Sequence, residues 1–129
     1  MYEPPKRRKL TKAERQEVYD KCGGHCAYCG CEITIQQMQV DHVIAMGFYD
    51  AYKTIGQDLD TLKNMLPACR SCNHYKSTLT LERFRESIQA WHNVLMRDSV
   101  TYKNAVRFGM VIPNPKTVVF YFEKEAHND

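Results

Sequence analysis

The chain has 129 residues, of which 26% are charged, and a net charge of +3 at neutral pH. This length allows one domain, and the absence of an 18-residue apolar run or an apolar leader predicts a cytoplasmic protein without membrane contact. The sequence contains six cysteines. Without a secretory signal, reduced thiols that hold a metal are favoured over disulfides.

The first 15 residues carry an uneven share of the positive charge. Six lysines and arginines stand there against two glutamates, which gives a local net charge of +4. We predict a solvated basic arm at residues 1–10, suited to phosphate contacts with a polyanion, followed by a single domain at residues 11–129. A tail that only increases solubility is an equal alternative.

A helix is predicted directly after this arm. Thr11 and Glu14 have the spacing of a capping box, so the helix is expected over about 12–22, where Gly23 and Gly24 stop it. A strand is predicted over 38–44, ending before Gly47.

Residues 48–61 are aromatic and acidic without a single period, which indicates a surface excursion. Its two late acids, Asp58 and Asp60, are expected to be solvated. A short strand over 64–68 follows, and Pro67 prevents its continuation. A further helix is expected to start at Ser71 or Cys72.

The clearest helix of the sequence begins near residue 81. Its apolar residues fall at alternating spacings of three and four: Leu81, Phe84, Ile88, Trp91 and Leu95. We expect Trp91 to be the largest buried side chain of this helix. A polar connection is predicted after Asp98, and the β-branched and aromatic segment 117–123 predicts a terminal strand.

Two Cys-x-x-Cys pairs dominate the sequence. Each pair can offer two thiolates to one ion, so Cys26, Cys29, Cys69 and Cys72 are predicted to form the closed tetrahedral shell of a structural zinc. The 39 residues between the pairs exceed those of a short zinc ribbon, which implies an inserted element. Thiol-disulfide exchange is the weaker reading, because no thioredoxin-like pattern surrounds either pair.

We predict lesser roles for the remaining cysteines and histidines. Cys22 is expected to be a small core residue, whereas Cys31 could replace one of the four ligands. His25 and His74 are metal ligands by residue type, but both adjoin better candidates, and His74 is expected to contact substrate instead. His92 and His127 receive no functional role.

Residues 21–76 resemble the four-cysteine branch of the HNH endonucleases, common among phages and bacteria. The resemblance rests on the Cys26 and Cys69 pairs, on Asp41-His42-Val43, on Asn64-Met65-Leu66 and on Asn73 with Lys76. It implies an α+β fold with a ββα-metal core, in which a hairpin carries the Asp-His pair and a helix carries the last Asn. The core would span about 21–80, between the N-terminal helix and an extension, residues 81–123, made of the long amphipathic helix and the terminal strand.

The same resemblance implies the parts of a metal-dependent DNA endonuclease. Phosphodiester hydrolysis needs a deprotonated water and a cation that offsets charge on phosphate oxygens. His42 is the expected general base, while Asp41 and Asn73 are expected to hold magnesium, manganese or another divalent ion through oxygen atoms. Lys76 is expected to contact phosphate beside that ion, and Asn64 to bind backbone and so orient the loop that bears His42.

Strand geometry and one alternative function both bear on this interpretation. Successive side chains of a regular strand point to opposite faces, so the strand must end or distort at Asp41 and His42 if both face one point. The alternative is that the base and the metal approach the scissile phosphate from different sides, as an in-line displacement would favour. The alternative function is a catalytically silent, zinc-stapled DNA-binding or scaffolding module. The complete set of Asp41, His42, Asn64 and Asn73 separates the two, because a pure binder has no chemical need for it.

Overall fold

The computed structural model describes residues 7–125; residues 1–6 and 126–129, and with them most of the predicted basic arm and His127, lie outside the described residues. The described elements are α1 (Lys12–Asp20), β1 (Gln39–His42), α2 (Tyr49–Lys53), β2 (Met65–Ala68), α3 (Arg70–Lys76), α4 (Leu81–Asp98), α5 (Val100–Arg107) and α6 (Tyr121–Glu125). Short 3-10 turns precede α2 at Met46–Phe48 and β2 at Leu62–Asn64. The result is a small α+β fold, consistent with a ββα-metal arrangement.

Helix α1 begins with the predicted capping box. The Thr11 hydroxyl accepts a hydrogen bond from the Glu14 amide at 3.1 Å, and the Glu14 carboxylate accepts one from the Thr11 amide at 3.0 Å. These bonds satisfy backbone donors that a helix start leaves free. Gly23 and Gly24 follow with φ of +58° and +85°, a region open to glycine, and turn the chain toward Cys26.

Strands β1 and β2 form an antiparallel hairpin in which Asp41 pairs with Leu66 and His42 with Met65. Both strands were predicted, and each is shorter than expected. Strand β1 ends at His42, so the regular alternation of side chains stops at the Asp-His pair. Met65 packs with Val18, Ile33 and Met38 in the main buried cluster of this region.

The first cysteine pair lies in a tight turn against the hairpin. The Cys26 amide donates to the Cys31 carbonyl at 2.8 Å, and the Ala27 amide donates to the Pro67 carbonyl at 2.8 Å. Gly30 has a φ of +80°, and a Cβ there would lie 2.8 Å from the Tyr121 ring. Only glycine fits this turn, because the backbone is left-handed and the ring is too close.

The chain divides into two compact units: one contains the residues up to 81 and those from 119 onward, the other contains residues 82–118. The first unit holds the motif core predicted at 21–80. The second holds most of α4, which confirms the predicted long helix, and all of α5. The polar connection predicted after Asp98 is wrong, because the Ser99 hydroxyl accepts from the Tyr102 amide at 3.1 Å and caps α5.

The prediction that Trp91 is buried is wrong, because 43% of its surface is exposed. A unit of this size has too little apolar surface to enclose a large indole. Across the described part of the chain, the largest fully buried side chains include Lys76, Phe84 and Phe120.

The terminal strand predicted over 117–123 is also wrong, because α6 begins at Tyr121. The Phe120 amide donates to the Glu123 carboxylate at 2.9 Å, a capping contact that favours a helix start. The first helical amides, of Tyr121 and Phe122, donate to the carbonyls of Tyr28 and Ala27. These donors are satisfied by the cysteine turn and need no partner strand. None of the helices between residues 7 and 125 has the length and apolar character to cross a bilayer.

Candidate metal centre and catalytic pocket

Four thiols converge between the two Cys-x-x-Cys turns. The sulfur atoms of Cys26, Cys29, Cys69 and Cys72 all lie within 4.8 Å of one another, and those of Cys29 and Cys69 are 3.9 Å apart. A tetrahedral ion with Zn–S bonds of about 2.3 Å needs sulfur atoms about 3.8 Å apart. The four predicted ligands therefore form a cluster with the dimensions of a zinc site.

The backbone around these sulfurs favours thiolates. The Tyr28 amide donates to Cys26 Sγ at 3.4 Å, and the Cys72 amide donates to Cys69 Sγ at 3.3 Å from the first turn of α3. The Cys72 thiol also hydrogen-bonds Cys26 and lowers the pKa of the Cys26 thiol against the opposing effect of burial. Such bonds stabilise negative charge on sulfur, which is the form that binds metal.

Neighbouring candidates lie outside this set of four. The Cys31 residue is exposed as a whole. Partial desolvation of its thiol, together with the nearby Cys29 thiol, nevertheless raises the pKa of Cys31 to about 12, which disfavours its thiolate. The His25 ring faces Tyr121, with ring centroids 5.1 Å apart. Cys22 is buried, as predicted for a small core residue.

The Asp41 carboxylate lies in a buried polar cage. It accepts a hydrogen bond from the Tyr28 hydroxyl through Oδ2, and the Lys76 ammonium lies 3.1 Å from the same oxygen and 3.5 Å from Oδ1. Burial, followed by the Asp41 charge, raises the pKa of Tyr28, so its hydroxyl stays a donor. These contacts fix the orientation of the carboxylate and leave Oδ1 with the weaker contact.

Lys76 does not lie where a phosphate contact requires it. Its side chain is 0% exposed, and Nζ also donates to the carbonyls of His42 at 3.3 Å and Val43 at 3.0 Å. Helical spacing puts Lys76 on the same face of α3 as Asn73, but the ammonium is bonded to acceptors inside the protein. Three acceptors at the end of β1 satisfy its three donors.

His42 is held by an acid that the sequence did not single out. Its Nε2 lies 3.0 Å from Asp60 Oδ1, and both side chains are buried. The expectation of a solvated Asp60 is wrong, because the excursion folds back onto the hairpin. No spacing rule connects two residues 18 positions apart in a segment without periodicity, so only the fold could reveal this pair.

Hydrogen bonds from the Asn64 side chain hold the excursion against the end of β1. Its Nδ2 donates to the carbonyls of Ile44 at 3.0 Å and Leu59 at 2.9 Å, while its Oδ1 accepts from the Ile44 amide at 3.0 Å. The side chain thereby ties the beginning of the segment after His42 to its end. This is where the predicted backbone-binding role would place it.

The hairpin end and α3 enclose a cavity of about 200 Å³ whose lining includes Asp41, His42 and Asn73. Arg7, Ser77 and Thr78 also line it. Among the described residues of the basic arm, Arg7 lines this cavity. His74, predicted to contact substrate, is exposed on the next position of α3 and does not line the cavity.

The comparison with family models agrees with this arrangement. Residues 26–78 match the model of the HNH endonuclease family, whereas no curated protein matches the chain significantly in sequence. Among solved structures, the chain is similar to the Type II-C Cas9 enzyme from Actinomyces naeslundii, with 21% identity and a TM-score of 0.46 over 63% of this chain. The aligned region is 8% of that Cas9 chain, so this protein spans a small part of it. Residues 26–78, which contain both cysteine pairs together with Asp41, His42 and Asn73, are therefore similar to the HNH endonucleases, a family of phosphodiester hydrolases.

Proposed function

We propose that this protein is a metal-dependent DNA endonuclease that hydrolyses phosphodiester bonds in the cavity at the end of the hairpin. The observation that carries the proposal is the convergence of Asp41, His42 and Asn73 on one cavity of about 200 Å³. These residues come from two elements and are up to 32 positions apart in the sequence. A base and two hard oxygen donors at one cavity are what metal-assisted phosphodiester hydrolysis needs.

His42 is assigned as the general base. Asp60 accepts a hydrogen bond from the Nε2–H group, because an ionised carboxylate can only accept. In the neutral ring this leaves Nδ1 without a proton and able to take one from water. Nδ1 has no hydrogen-bond partner among the residues described. It is enclosed here, and catalytic hydrogen bonds often form only in the substrate complex.

Asp41 and Asn73 are assigned to a catalytic divalent ion. Both offer oxygen atoms, the ligands that magnesium and manganese prefer. Within the Asp41 carboxylate, Oδ1 is the better candidate, because its contact with Lys76 is the longer one at 3.5 Å, whereas Oδ2 is bonded to Tyr28 and lies nearer to Lys76. When bound, such an ion neutralises charge on the phosphate oxygens.

The four-cysteine cluster is assigned a structural zinc. All four positions of a tetrahedral shell would be filled by thiolates, which leaves no position for substrate. The cluster joins the Cys26 turn to the start of α3, the helix that carries Asn73 and Lys76. Zinc would therefore hold the two sides of the catalytic cavity together without taking part in the reaction.

Arg7 is assigned the phosphate contact that Lys76 does not make. Its side chain lines the cavity and is exposed, whereas Lys76 is enclosed. A guanidinium can bind a phosphate through two parallel hydrogen bonds. The basic arm then supports binding to the DNA backbone rather than solubility alone.

Supercoiled plasmid provides the test of this function. Zinc-loaded protein should convert it to nicked or linear DNA when magnesium or manganese is added, and should leave it intact without added divalent ion. Omission of the ion is preferable to a chelator, because a chelator would also remove zinc and unfold the protein. Zinc content is measured in both samples as the control.

The same assay separates the enzyme from a catalytically silent DNA-binding module. Asp41→Asn and Asn73→Ala should each lower metal-dependent cleavage at saturating DNA while zinc content stays unchanged. Binding of plasmid with no cleavage under any divalent ion, at full zinc occupancy, would contradict the proposal and favour the silent module.

A further inference from the structure

We infer that Asp60 is a positioning residue for His42, and that the backbone of the N-terminal segment at Arg8 holds Asp60 in place. This inference rests on the proposed function, because it concerns the same histidine. It adds a partner from the excursion and makes the N-terminal segment part of the catalytic assembly. Two measurable quantities follow from it, one of which does not require cleavage.

The first support is the division of labour between the two carboxylate oxygens. Asp60 Oδ1 lies 3.0 Å from His42 Nε2, and Oδ2 accepts a hydrogen bond from the Arg8 amide at 2.6 Å. The carboxylate therefore bridges the imidazole and a backbone 52 positions away from it in the sequence. Each bond orients Asp60 for the other.

The second support is that Asp60 has the protonation state required. Burial opposes its charge, but the Arg8 amide and the His42 ring outweigh burial, and the pKa of Asp60 lies below its ordinary value. At neutral pH the group is an acceptor only. The His42 tautomer with hydrogen on Nε2 is the one that satisfies it.

The third support is the way the local backbone presents this side chain. The Asp60 amide donates to Asp58 Oδ1 at 2.8 Å, and the neighbouring Leu59 is 3% exposed. Asn64 then fixes the Leu59 carbonyl at 2.9 Å. A buried anchor and two hydrogen bonds hold Asp60 next to Nε2 of His42, so its position is not that of a mobile surface acid.

The imidazole tautomer gives the test that is independent of cleavage. Nitrogen-15 NMR of the ring in zinc-loaded wild type should show hydrogen on Nε2 of His42. Asp60→Ala should give a mixture of the two tautomers. Asp60→Asn should move the hydrogen to Nδ1, because its single amide oxygen is needed by the Arg8 N–H and its NH2 group then donates to Nε2. Asp50→Asn, an exposed acid of α2, is the matched control and should leave the His42 signals as in wild type.

Cleavage gives the second readout. At saturating DNA and divalent ion, Asp60→Ala should lower kcat by about 10²- to 10⁴-fold, as expected when a histidine loses its orienting carboxylate. Asp60→Asn should lower it by up to about 10⁴-fold, because an imidazole with hydrogen on Nδ1 cannot take the proton from water there. The Kd for DNA, measured without the catalytic ion, should stay within about twofold. Asp50→Asn should keep the wild-type kcat.

The Arg8 backbone is tested with a proline. Arg8→Pro removes the N–H that Asp60 accepts, whereas Arg8→Ala removes the guanidinium and its ion pair with Glu14 but keeps the N–H. Arg8→Pro should therefore have a kcat at least about fivefold below that of Arg8→Ala. Thermal unfolding and zinc content of each variant show that it is folded.

The outcomes separate this inference from the proposed function. A folded Asp60→Ala protein that retains the single Nε2–H tautomer and the wild-type kcat would overturn it. Equal kcat values for Arg8→Pro and Arg8→Ala would overturn the part assigned to the Arg8 backbone. If the wild type cuts no DNA at all, the proposed function fails, and the tautomer of Asp60→Ala still decides whether Asp60 positions the ring.

Discussion

Replacement of the buried lysine by methionine, Lys76→Met, should strongly destabilise the zinc-bound protein. Methionine keeps most of the alkyl volume but removes the ammonium, which lies 3.1 Å from Asp41 Oδ2 and 3.0 Å from the Val43 carbonyl. The side chain is 0% exposed, so water cannot replace these contacts without opening the fold. Among the residues described, Asp41 would remain as a buried charge with one neutral donor, the Tyr28 hydroxyl.

The loss can be estimated from these contacts. Removing one partner of a buried ion pair costs about 3–5 kcal/mol, because the other charge stays buried without compensation. For a domain of this size, that loss lowers Tm by roughly 10–20 °C. Denaturant unfolding at saturating zinc gives the free energy directly, and Lys63→Met, on an exposed lysine, is the matched control with an expected change within about 0.5 kcal/mol.

A double-mutant cycle shows whether the pair itself is responsible. Asp41→Asn combined with Lys76→Met should cost less than the sum of the two single changes, with a coupling of about 1–3 kcal/mol. A Lys76→Met protein as stable as the wild type, with weakened DNA binding, would refute this reasoning. That result would restore Lys76 as a phosphate contact.

Three further predictions concern the metal, the buried phenol and the arm. Cys69→Ser should lose zinc and the folded circular dichroism spectrum, whereas Cys31→Ser should keep both. Burial raises the pKa of Tyr28, so above a pH of about 10 the phenol loses its proton in the unfolded chain before it does in the folded protein. The free energy of unfolding therefore falls as the pH rises. Denaturant unfolding of Tyr28→Phe should show a smaller fall over the same pH range. Arg7→Ala should weaken DNA binding severalfold and lower the slope of log Kd against log salt by about one, whereas Lys116→Ala should change neither.

The sequence predicts those parts of the structure that depend on local spacing. The capping box at Thr11, the two strands of the hairpin and the two Cys-x-x-Cys turns follow from short patterns whose geometry is fixed by a few neighbouring residues. The family resemblance adds which of these residues should meet. Their meeting at one cavity depends on long-range folding, for which the sequence alone offers only the analogy.

Several of the failures share a physical cause, since they depend on contacts between distant segments. Asp60 has no local signal, because its partners are His42 and the Arg8 backbone. Phe120 and Tyr121 have strand-like composition, but their amides bond to Glu123 and to the cysteine turn. For Lys76, helical spacing gives the face but not whether the ammonium points to solvent or into the protein.

The most direct test of the account compares DNA cleavage and DNA binding in the wild type and His42→Ala. Single-turnover cleavage of a labelled duplex is measured with added magnesium or manganese, and affinity is measured on the same duplex without them. The account predicts that His42→Ala stays folded, keeps its zinc, binds DNA with a Kd within about twofold of the wild type and loses cleavage by at least about 100-fold. A folded His42→Ala protein that cuts at the wild-type rate would contradict the central claim.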